Sequence, residues 1–259
     1  MTTILFVGDV VAAPGRRAFR ALLPALREEL GLDFVVVNGE NAAGGVGITP
    51  KTADDLFDAG ADVITLGNHT YRHRDAYRYL DEHPRIVRPA NYLPSQPGRG
   101  TCVVEHHGVS LGVVNLSGNL FMRASRPALV EVDIALGEVA SADQVVVDMH
   151  AEATSEKVAL GWYLDGRVTA VVGTHTHVPT NDARVLPGGT AYITDVGMTG
   201  GRGGVIGVTR ESSIEHLKTQ MPVRYDAAVD DPWLNAVVIR CAQEPRRAAS
   251  IEPVLRPAP

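Results

Sequence analysis

Cysteines and long apolar runs are scarce in this sequence, and their scarcity narrows the class of protein. Only Cys102 and Cys241 occur in 259 residues. They are too few and too far apart for a disulfide framework, so we expect both to be reduced and structural. No apolar run approaches the roughly 20 residues of a membrane-spanning helix, and the N-terminus lacks the basic and longer apolar segments of a secretory signal. We therefore expect a cytoplasmic protein with no membrane partner.

Two familiar site motifs are also absent. The stretch Gly44–Gly47 matches neither the GxGxxG nor the GxxxxGKS/T phosphate loop, so we interpret it as a flexible turn. No GxSxG elbow supports a Ser-His-Asp hydrolase. The formal net charge of −6 argues against an extended nucleic-acid-binding surface, because such surfaces neutralise phosphates with Lys and Arg. A hydrophobic content of 45% and a mean hydropathy near zero are typical of an ordinary globular protein.

The first third of the chain alternates strand and helix patterns. Apolar runs at Ile4–Val7, Phe34–Val37 and Val63–Leu66 predict buried strands. Ala13–Leu30 has its large apolar residues at helical spacing. The segment from Thr49 to about Ala59 opens with an N-cap residue and a proline, which predicts a second helix. This βαβαβ order implies a parallel sheet with right-handed crossovers.

The rest of the chain mixes hairpins with further strands. Prolines and glycines make Arg88–Gly100 a loop. The predicted elements after it are a hairpin of Thr101–Glu105 and Val109–Asn115, strands Gln144–Asp148 and Val168–Val172 around a helix at about Ser155–Leu164, a hairpin of Arg184–Leu186 and Thr190–Thr194, and late strands Ala236–Cys241 and Ser250–Leu255. Mixed parallel and antiparallel strands suggest two packed sheets with helices outside. No linker divides the chain, so we predict a single domain over residues 1–259.

Polar side chains follow the ends of five of these strands. In open α/β sheets, ligand sites lie beyond the carboxyl ends of the strands, so these side chains are expected to converge. Each is weak evidence alone, since a lone Asp after a strand is usually a turn residue or helix cap. Together they form a set that loop chemistry does not explain. The candidate residues are Asp9, Glu40, Asn41, Asn68, His69, His150, His175 and His177.

Carboxylate, amide and imidazole groups together are what a two-metal hydrolase needs. We expect Glu40 to bridge two metal ions about 3.5–4 Å apart, with one carboxylate oxygen on each ion. His175 and His177, two residues apart in an extended segment, would point to one face. The absence of thiolates favours iron, manganese or zinc at a catalytic site over a structural zinc site.

Five sequence blocks contain these candidates. They are Phe6–Val11 (FVGDVV), Asn38–Gly45 (NGENAAGG), Gly67–His69 (GNH), His150–Lys157 (HAEATSEK) and Gly173–His177 (GTHTH). The set resembles the YmdB-type branch of the calcineurin-like metallophosphoesterases, from Ile4 to about Gly207. The long blocks around Glu40 and His150 are specific to the branch, whereas Gly-Asn-His is shared by the whole superfamily.

Two departures from the wider superfamily point to this branch. The first superfamily motif is usually Asp-x-His, but Asp9 is followed by Val10 and Val11. Asn41 stands in for that missing His. The bridging Asp of the superfamily is Glu40 here.

The resemblance implies a four-layer αββα sandwich of two mixed sheets that holds two divalent or trivalent metal ions, commonly iron. It also implies that His69 is the catalytic acid, beside the metals but not bound to them. The implied ligands of the first metal are Asp9, Glu40, Asn41 and His177. The implied ligands of the second metal are Glu40, Asn68, His150 and His175.

The activity that the resemblance implies is hydrolysis of cyclic nucleotide phosphodiesters by a metal-activated hydroxide. The usual substrates are 2′,3′-cyclic nucleotides, 3′,5′-cyclic AMP is also a candidate, and the family implies a homo-oligomer. One alternative is a broader phosphatase or RNA-end-processing enzyme. Another is a regulatory protein that senses a nucleotide or holds an RNA-processing partner. His69 argues against a purely regulatory role, because a pure binder needs no general acid.

The sequence alone does not identify the residues that contact the substrate. Arg16, Arg72 and Arg202 are candidates by loop position only, and an exposed Arg is more often a solvated charge. The glycine-rich run Gly197–Gly207 is a mobile lid, a wall of the site or a plain connecting loop.

Overall fold

The computed structural model describes residues 2–259 of the chain. Its helices are α1 (Ala12–Leu30), α2 (Pro50–Asp58), α3 (Ala76–Glu82), α4 (Ala128–Glu138), α5 (Thr154–Tyr163) and α6 (Arg210–Thr219). Its strands are β1 (Thr3–Val7), β2 (Phe34–Asn38), β3 (Val63–Thr65), β4 (Ile86–Val87), β5 (Thr101–His106), β6 (Val109–Ser117), β7 (Gln144–His150), β8 (Ala170–Thr174), β9 (Arg184–Val185), β10 (Ala191–Ile193), β11 (Gly200–Gly201), β12 (Pro232–Cys241) and β13 (Ala248–Pro257).

The strands form two mixed sheets. The first sheet has the order β11-β12-β1-β2-β3-β4, with β13 on β12, and its strands β1 to β4 run parallel. The second sheet has the order β5-β6-β7-β8-β10-β9, with a parallel centre and an antiparallel strand at each edge. Parallel neighbours need crossover connections, and these bring the carboxyl ends of the central strands to one edge of each sheet.

Side chains along the central strands alternate between two apolar layers. In β1, Ile4 and Phe6 pack between the two sheets, whereas Leu5 and Val7 pack toward the helices outside the first sheet. In β7, Val146 faces the first sheet, and its neighbours face α4 and α5. Burial on both faces explains why these strands are continuous apolar runs in the sequence.

Helices cover the outer face of each sheet. Helix α1 buries Phe19, Leu23 and Leu26 against the first sheet, as its spacing predicts. Helix α2 begins with a capping box, in which Thr49 Oγ1 accepts from Thr52 N at 3.3 Å and Thr52 Oγ1 accepts from Thr49 N at 2.9 Å. Helices α4 and α5 cover the second sheet. The four-layer αββα sandwich implied by the resemblance is therefore confirmed.

Some predicted boundaries are wrong, and three helices were not predicted. Strand β7 continues to His150, and β8 runs from Ala170 to Thr174, so both motifs begin inside strands. Helices α3, α4 and α6 have no counterpart among the predictions. Helix α6 buries only Ser212, and α4 is apolar on several sides, so neither shows a clear apolar stripe.

Two exclusions drawn from the sequence can be compared with the structure. Cys102 and Cys241 are buried and free, as predicted. Burial raises the pKa of each thiol to about 12, which keeps both in the unreactive thiol form. Within residues 2–259, no helix combines the length and apolar character needed to cross a membrane.

Candidate metal centre

The predicted site residues lie together at the carboxyl ends of the central strands. The first sheet contributes Asp9 after β1, Glu40 and Asn41 after β2, and Asn68 and His69 after β3. The second sheet contributes His150 at the end of β7, and His175 and His177 after β8. Polar contacts of 3.7 Å or less connect the whole set across the two sheets.

Ligand-type atoms crowd around one imidazole nitrogen. Nε2 of His150 lies 3.0 Å from Asn68 Oδ1, 3.1 Å from Glu40 Oε1 and 3.1 Å from His175 Nδ1. An imidazole nitrogen carries at most one proton, so hydrogen bonding does not account for all three contacts. Glu40, His150 and His175 offer atoms within 4.8 Å of one another, a spacing that could hold a metal ion. Glu40, Asn68, His150 and His175 therefore fit a shared cation.

A second group of candidate ligands surrounds Asp9. Its Oδ2 accepts from His175 N at 3.1 Å, but its Oδ1 is buried and has no hydrogen-bond partner within residues 2–259. His177 Nε2 lies 3.7 Å from this Oδ1 and 3.1 Å from Asn41 Nδ2. Turning the Asn41 amide over would put its oxygen, in place of its nitrogen, beside His177 Nε2. A buried carboxylate oxygen without a donor is costly, so this group also fits a cation.

Glu40 stands between the two groups and is 1% exposed. Its Oε1 lies 3.1 Å from His150 Nε2 and 3.2 Å from Asn41 Nδ2. Its Oε2 accepts instead from the backbone N–H of His69 at 3.0 Å. Oε1 is therefore the Glu40 oxygen that faces both groups.

Two histidines are oriented by acceptors on their outer nitrogens. His177 Nδ1 lies 2.9 Å from Ile206 O, and His175 Nε2 lies 3.2 Å from Glu152 Oε2. Carbonyls and carboxylates only accept, so the outer nitrogens carry the proton and the inner nitrogens keep a lone pair for a metal. Sequence reasoning missed Glu152. The sequence feature that could have identified it is its position two residues after His150, within the block His150–Lys157.

The turn that carries His175 and His177 is not extended. Their φ angles are +100° and +66°, so the prediction of an extended segment is wrong. Such backbone costs about 1–3 kcal/mol per residue and persists only where the surroundings hold it. Asp195 supplies that support, since its Oδ2 accepts from Thr176 N at 3.1 Å and from Lys157 Nζ at 2.7 Å.

Burial and neighbouring charges shift pKa values in opposite directions here. Burial, and then His150, lowers the pKa of His175 to about 3. Burial opposes charge on His150 too, but Glu40 and then Asp9 raise its pKa to about 9. Burial opposes ionisation of Glu40, but His150 and His69 lower its pKa well below the usual range. The neutral imidazole of His175 and the ionised carboxylate of Glu40 offer a metal a lone pair and a negative charge.

His69 lies at the rim of the cluster, with its side chain 35% exposed. Its Nδ1 lies 2.9 Å from Asn41 Oδ1 and 3.3 Å from Glu40 Oε1. The ring also lines the cavity above the cluster. With Nδ1 held by the cluster, Nε2 is left for a ligand in that cavity.

The cavity over the cluster has a volume of about 410 Å³. Beyond the cluster, its walls include Gly44–Val46, Ile206–Val208 and Tyr225–Ala227. No Lys or Arg of residues 2–259 lines it. The run Gly197–Gly207 thus contributes strand β11 and, at its end, part of the cavity wall.

The three arginines considered as substrate contacts lie outside this cavity. Arg16 is in helix α1 rather than in a loop, and its Nε pairs with Asp55 at 3.2 Å. The guanidinium of Arg202 lies 4.4 Å from the centre of the Trp233 ring. Arg72 is exposed in the turn after β3. Arg72 and Arg202 thus lie in turn or loop segments as expected, Arg16 does not, and none of the three lines the cavity.

Comparison with known proteins identifies the family. A model of YmdB-like proteins matches residues 5–254. The chain belongs to the YmdB-like family. Within it, the 2′,3′-cyclic-nucleotide 2′-phosphodiesterase of Bacillus subtilis (strain 168) is 46% identical over 253 residues, which cover 97% of this chain and 96% of that protein.

Solved structures of similar proteins share the whole fold. A hypothetical protein from Thermus thermophilus superposes with a TM-score of 0.94 at 43% identity, covering 100% of both chains. A structure described as a novel phosphatase, from Mycoplasma pneumoniae, superposes with a TM-score of 0.91 at 32% identity, covering 99% of this chain and 94% of that one. Membership of a metallophosphoesterase-like family implies divalent metal ions, in agreement with the donor groups that converge here.

Proposed function

We propose that this YmdB-like protein is a dinuclear metal-dependent phosphodiesterase that hydrolyses small cyclic nucleotides. The observation that carries the proposal is the convergence of carboxylate, amide and imidazole groups on Glu40 Oε1, with His69 beside them under an open cavity. The name of the Bacillus subtilis relative supports 2′,3′-cyclic nucleotides as substrates.

The proposal gives the two metal ions to the two ligand groups that share Glu40. The first group is Asp9, Glu40, Asn41 and His177. The second group is Glu40, Asn68, His150 and His175. Bound metal ions supply Lewis acidity and a nucleophile at neutral pH. Oxygen and imidazole ligands without thiolates suit iron, manganese or zinc, and the family resemblance supports iron.

His69 is the proposed general acid. Its Nδ1–H can donate to Glu40 Oε1, 3.3 Å away, which directs Nε2 toward the cavity. A proton on Nε2 would pass to the ribose oxygen that leaves as its bond to phosphorus breaks. Proton transfer of this kind contributes about 10²–10⁴-fold to the rate.

The lining of the cavity suits a diester better than a monoester. A phosphodiester carries a single negative charge, whereas a phosphate monoester approaches two at neutral pH. Within residues 2–259, the lining has no cationic side chain of Lys or Arg to offset a second charge, and it includes the acidic residues Glu152 and Asp226. A singly charged substrate therefore meets less repulsion in this cavity.

A phosphatase is the second candidate. The Mycoplasma pneumoniae structure, which shares the whole fold, is described as a phosphatase. The open cavity would admit a small monoester as readily as a small diester. The two candidates differ in the charge of the phosphate group that the site prefers.

Turnover on matched diesters and monoesters tests the proposal. Protein of measured metal content is assayed on 2′,3′-cyclic AMP, 3′,5′-cyclic AMP, bis-p-nitrophenyl phosphate and p-nitrophenyl phosphate. We expect the highest kcat/KM on the 2′,3′-cyclic nucleotide and a lower value on p-nitrophenyl phosphate than on its diester. A preference for the monoester would favour the phosphatase. Full activity with a single metal ion per chain would contradict the dinuclear centre.

A further inference from the structure

Behind His150 lies a buried chain of polar side chains that the proposed reaction does not use. His150 Nδ1 lies 2.9 Å from Thr174 Oγ1, and Thr174 Oγ1 donates to Asp148 Oδ1 at 2.7 Å. All three residues are 0% exposed, so bulk water does not reach these contacts. We propose that Asp148 and Thr174 are positioning residues that fix the tautomer of His150 for metal binding. This tautomer relay, Asp148–Thr174–His150, rests on the proposed metal centre.

The donors around Asp148 determine which atom donates and which accepts in each hydrogen bond of the relay. The backbone N–H of Glu40 donates to Asn38 Oδ1 at 3.2 Å, so the Asn38 amide nitrogen faces the other way, toward Asp148. That nitrogen donates to Asp148 Oδ2 at 3.0 Å and lies 3.4 Å from Thr174 Oγ1. Thr65 Oγ1 donates to the same Oδ2 at 2.5 Å. Asp148 is thus an acceptor for three donors, as a carboxylate is.

The hydrogen bond from Thr174 to Asp148 determines the role of the Thr174 hydroxyl toward His150. A hydroxyl has one proton, and Thr174 donates it to Asp148. Its oxygen must therefore accept from the imidazole, so the proton of a neutral His150 ring lies on Nδ1. Nε2, the atom that faces Glu40 and His175, then keeps its lone pair for a metal.

The same network joins the two sheets beneath the metal centre. Asp148 and Thr174 lie on β7 and β8 of the second sheet, whereas Asn38 and Thr65 lie on β2 and β3 of the first sheet. Through Asn38, the carboxylate of Asp148 also orients the backbone that carries Glu40. One buried carboxylate therefore acts on ligands from both sheets.

Loss of the Thr174 hydroxyl would release His150 to the other tautomer. With its proton on Nε2, the ring can donate to Glu40 Oε1, 3.1 Å away. That hydrogen bond competes with a metal ion for both atoms. Partners on the outer nitrogen of metal-binding histidines typically change metal affinity by about 10–100-fold.

Substitutions at two threonines separate the relay from general packing. Thr174→Val keeps the shape of threonine without the hydroxyl, and Thr174→Ser keeps the hydroxyl. Thr65→Val is the matched control, because it removes a donor to the same carboxylate without changing Thr174. Each metal-free protein is titrated with Mn²⁺ by calorimetry, and its thermal unfolding is recorded to verify folding.

We expect Thr174→Val to weaken one Mn²⁺-binding step by about 10–100-fold and to leave the other within about twofold of wild type. Thr174→Ser and Thr65→Val should bind as wild type does. Equal affinity in Thr174→Val and wild type, or equal weakening in Thr65→Val, would overturn the relay.

Asp148→Asn gives a second route to the same result if Thr174→Val does not fold. The amide nitrogen of the new side chain would donate to Thr174 Oγ1, so the hydroxyl of Thr174 would donate to His150 Nδ1 instead of accepting from it. The same Mn²⁺-binding step should therefore weaken. Wild-type affinity in this variant would overturn the relay. Because the relay is scored on metal affinity, these results are independent of turnover. A wild-type protein that binds Mn²⁺ in two steps but hydrolyses no phosphodiester would overturn the proposed function alone.

Discussion

The two sheets contribute chemically different halves of the candidate site. The first sheet supplies the carboxylate and amide candidates Asp9, Glu40, Asn41 and Asn68. The second sheet supplies the imidazole candidates His150, His175 and His177. Carboxylates bring negative charge, whereas neutral imidazoles bring lone pairs without charge. Each proposed ion draws on both halves, so the centre is complete only when the two sheets pack together.

The two halves are also held in different ways. The first-sheet half depends on space, since a Cβ at Gly67 would lie 2.3 Å from Glu40 Oε2. The second-sheet half depends on a turn with left-handed backbone at His175, supported by the buried pair of Lys157 and Asp195. We therefore expect the first half to be sensitive to added volume and the second to the loss of buried supports.

The largest effect is expected at Glu40, which belongs to the first half but is shared by both proposed ligand groups. Glu40→Gln keeps the size of the side chain but removes its charge from the oxygen that faces both groups. We expect loss of both metal ions and of turnover, whereas His177→Ala should lose one ion only. Elemental analysis after dialysis, with turnover on 2′,3′-cyclic AMP, measures both. Two ions per chain in Glu40→Gln would remove its shared role.

The next effect concerns His69, which lies in the first half but is proposed to bind no metal. His69→Gln should keep both ions and lose about 10²–10⁴-fold in kcat. The loss should be smaller on bis-p-nitrophenyl phosphate, because its leaving group needs little protonation. Steady-state kinetics on that diester and on 2′,3′-cyclic AMP make the comparison. An equal loss on both substrates would contradict acid catalysis by His69.

The support of the second half is tested through folding stability. Lys157 and Asp195 are 1% and 0% exposed, with Nζ and Oδ2 2.7 Å apart. Removing one partner leaves a buried charge unpaired, so Lys157→Met should lower the free energy of unfolding by about 3–5 kcal/mol. Urea unfolding of the metal-free protein measures this change.

An exposed lysine provides the control for that measurement. Lys51 is 83% exposed and its Nζ lies 3.7 Å from Asp55 Oδ2. Lys51→Met should change the free energy of unfolding by less than about 0.5 kcal/mol. If the two variants unfold alike, the buried pair does not stabilise the turn.

The smallest effect is expected outside both halves, at Arg202. Its guanidinium packs on the Trp233 ring and does not line the cavity. Exposed cation–π contacts contribute about 0.5–1 kcal/mol, so Arg202→Ala should lower stability by no more than that and leave KM unchanged. Thermal unfolding and steady-state kinetics measure the two quantities. A several-fold rise in KM would make Arg202 a substrate contact.

Sequence reasoning worked best where a pattern is long and local. The stripe that includes Phe19 and Leu23 predicts α1, and the Thr49 capping box predicts the start of α2, because both depend on residues within a few positions. It failed for α4 and α6, whose apolar residues do not form one stripe. It also failed for the turn after β8, because the left-handed backbone of His175 and His177 is imposed by contacts from elsewhere in the chain.

By itself, the sequence determined the alternation of strands and helices and the chemical types of the candidate ligands, since side-chain chemistry and apolar periodicity are local properties. Parallel strands place their carboxyl ends at one edge, so the convergence of the candidates within each sheet follows from the order of the elements. Only the tertiary structure decided the buried partners. Asn38 meets Asp148 across 110 residues of chain, and Lys157 meets Asp195 across 38, because the packing of the sheets and helices, rather than sequence spacing, sets these distances.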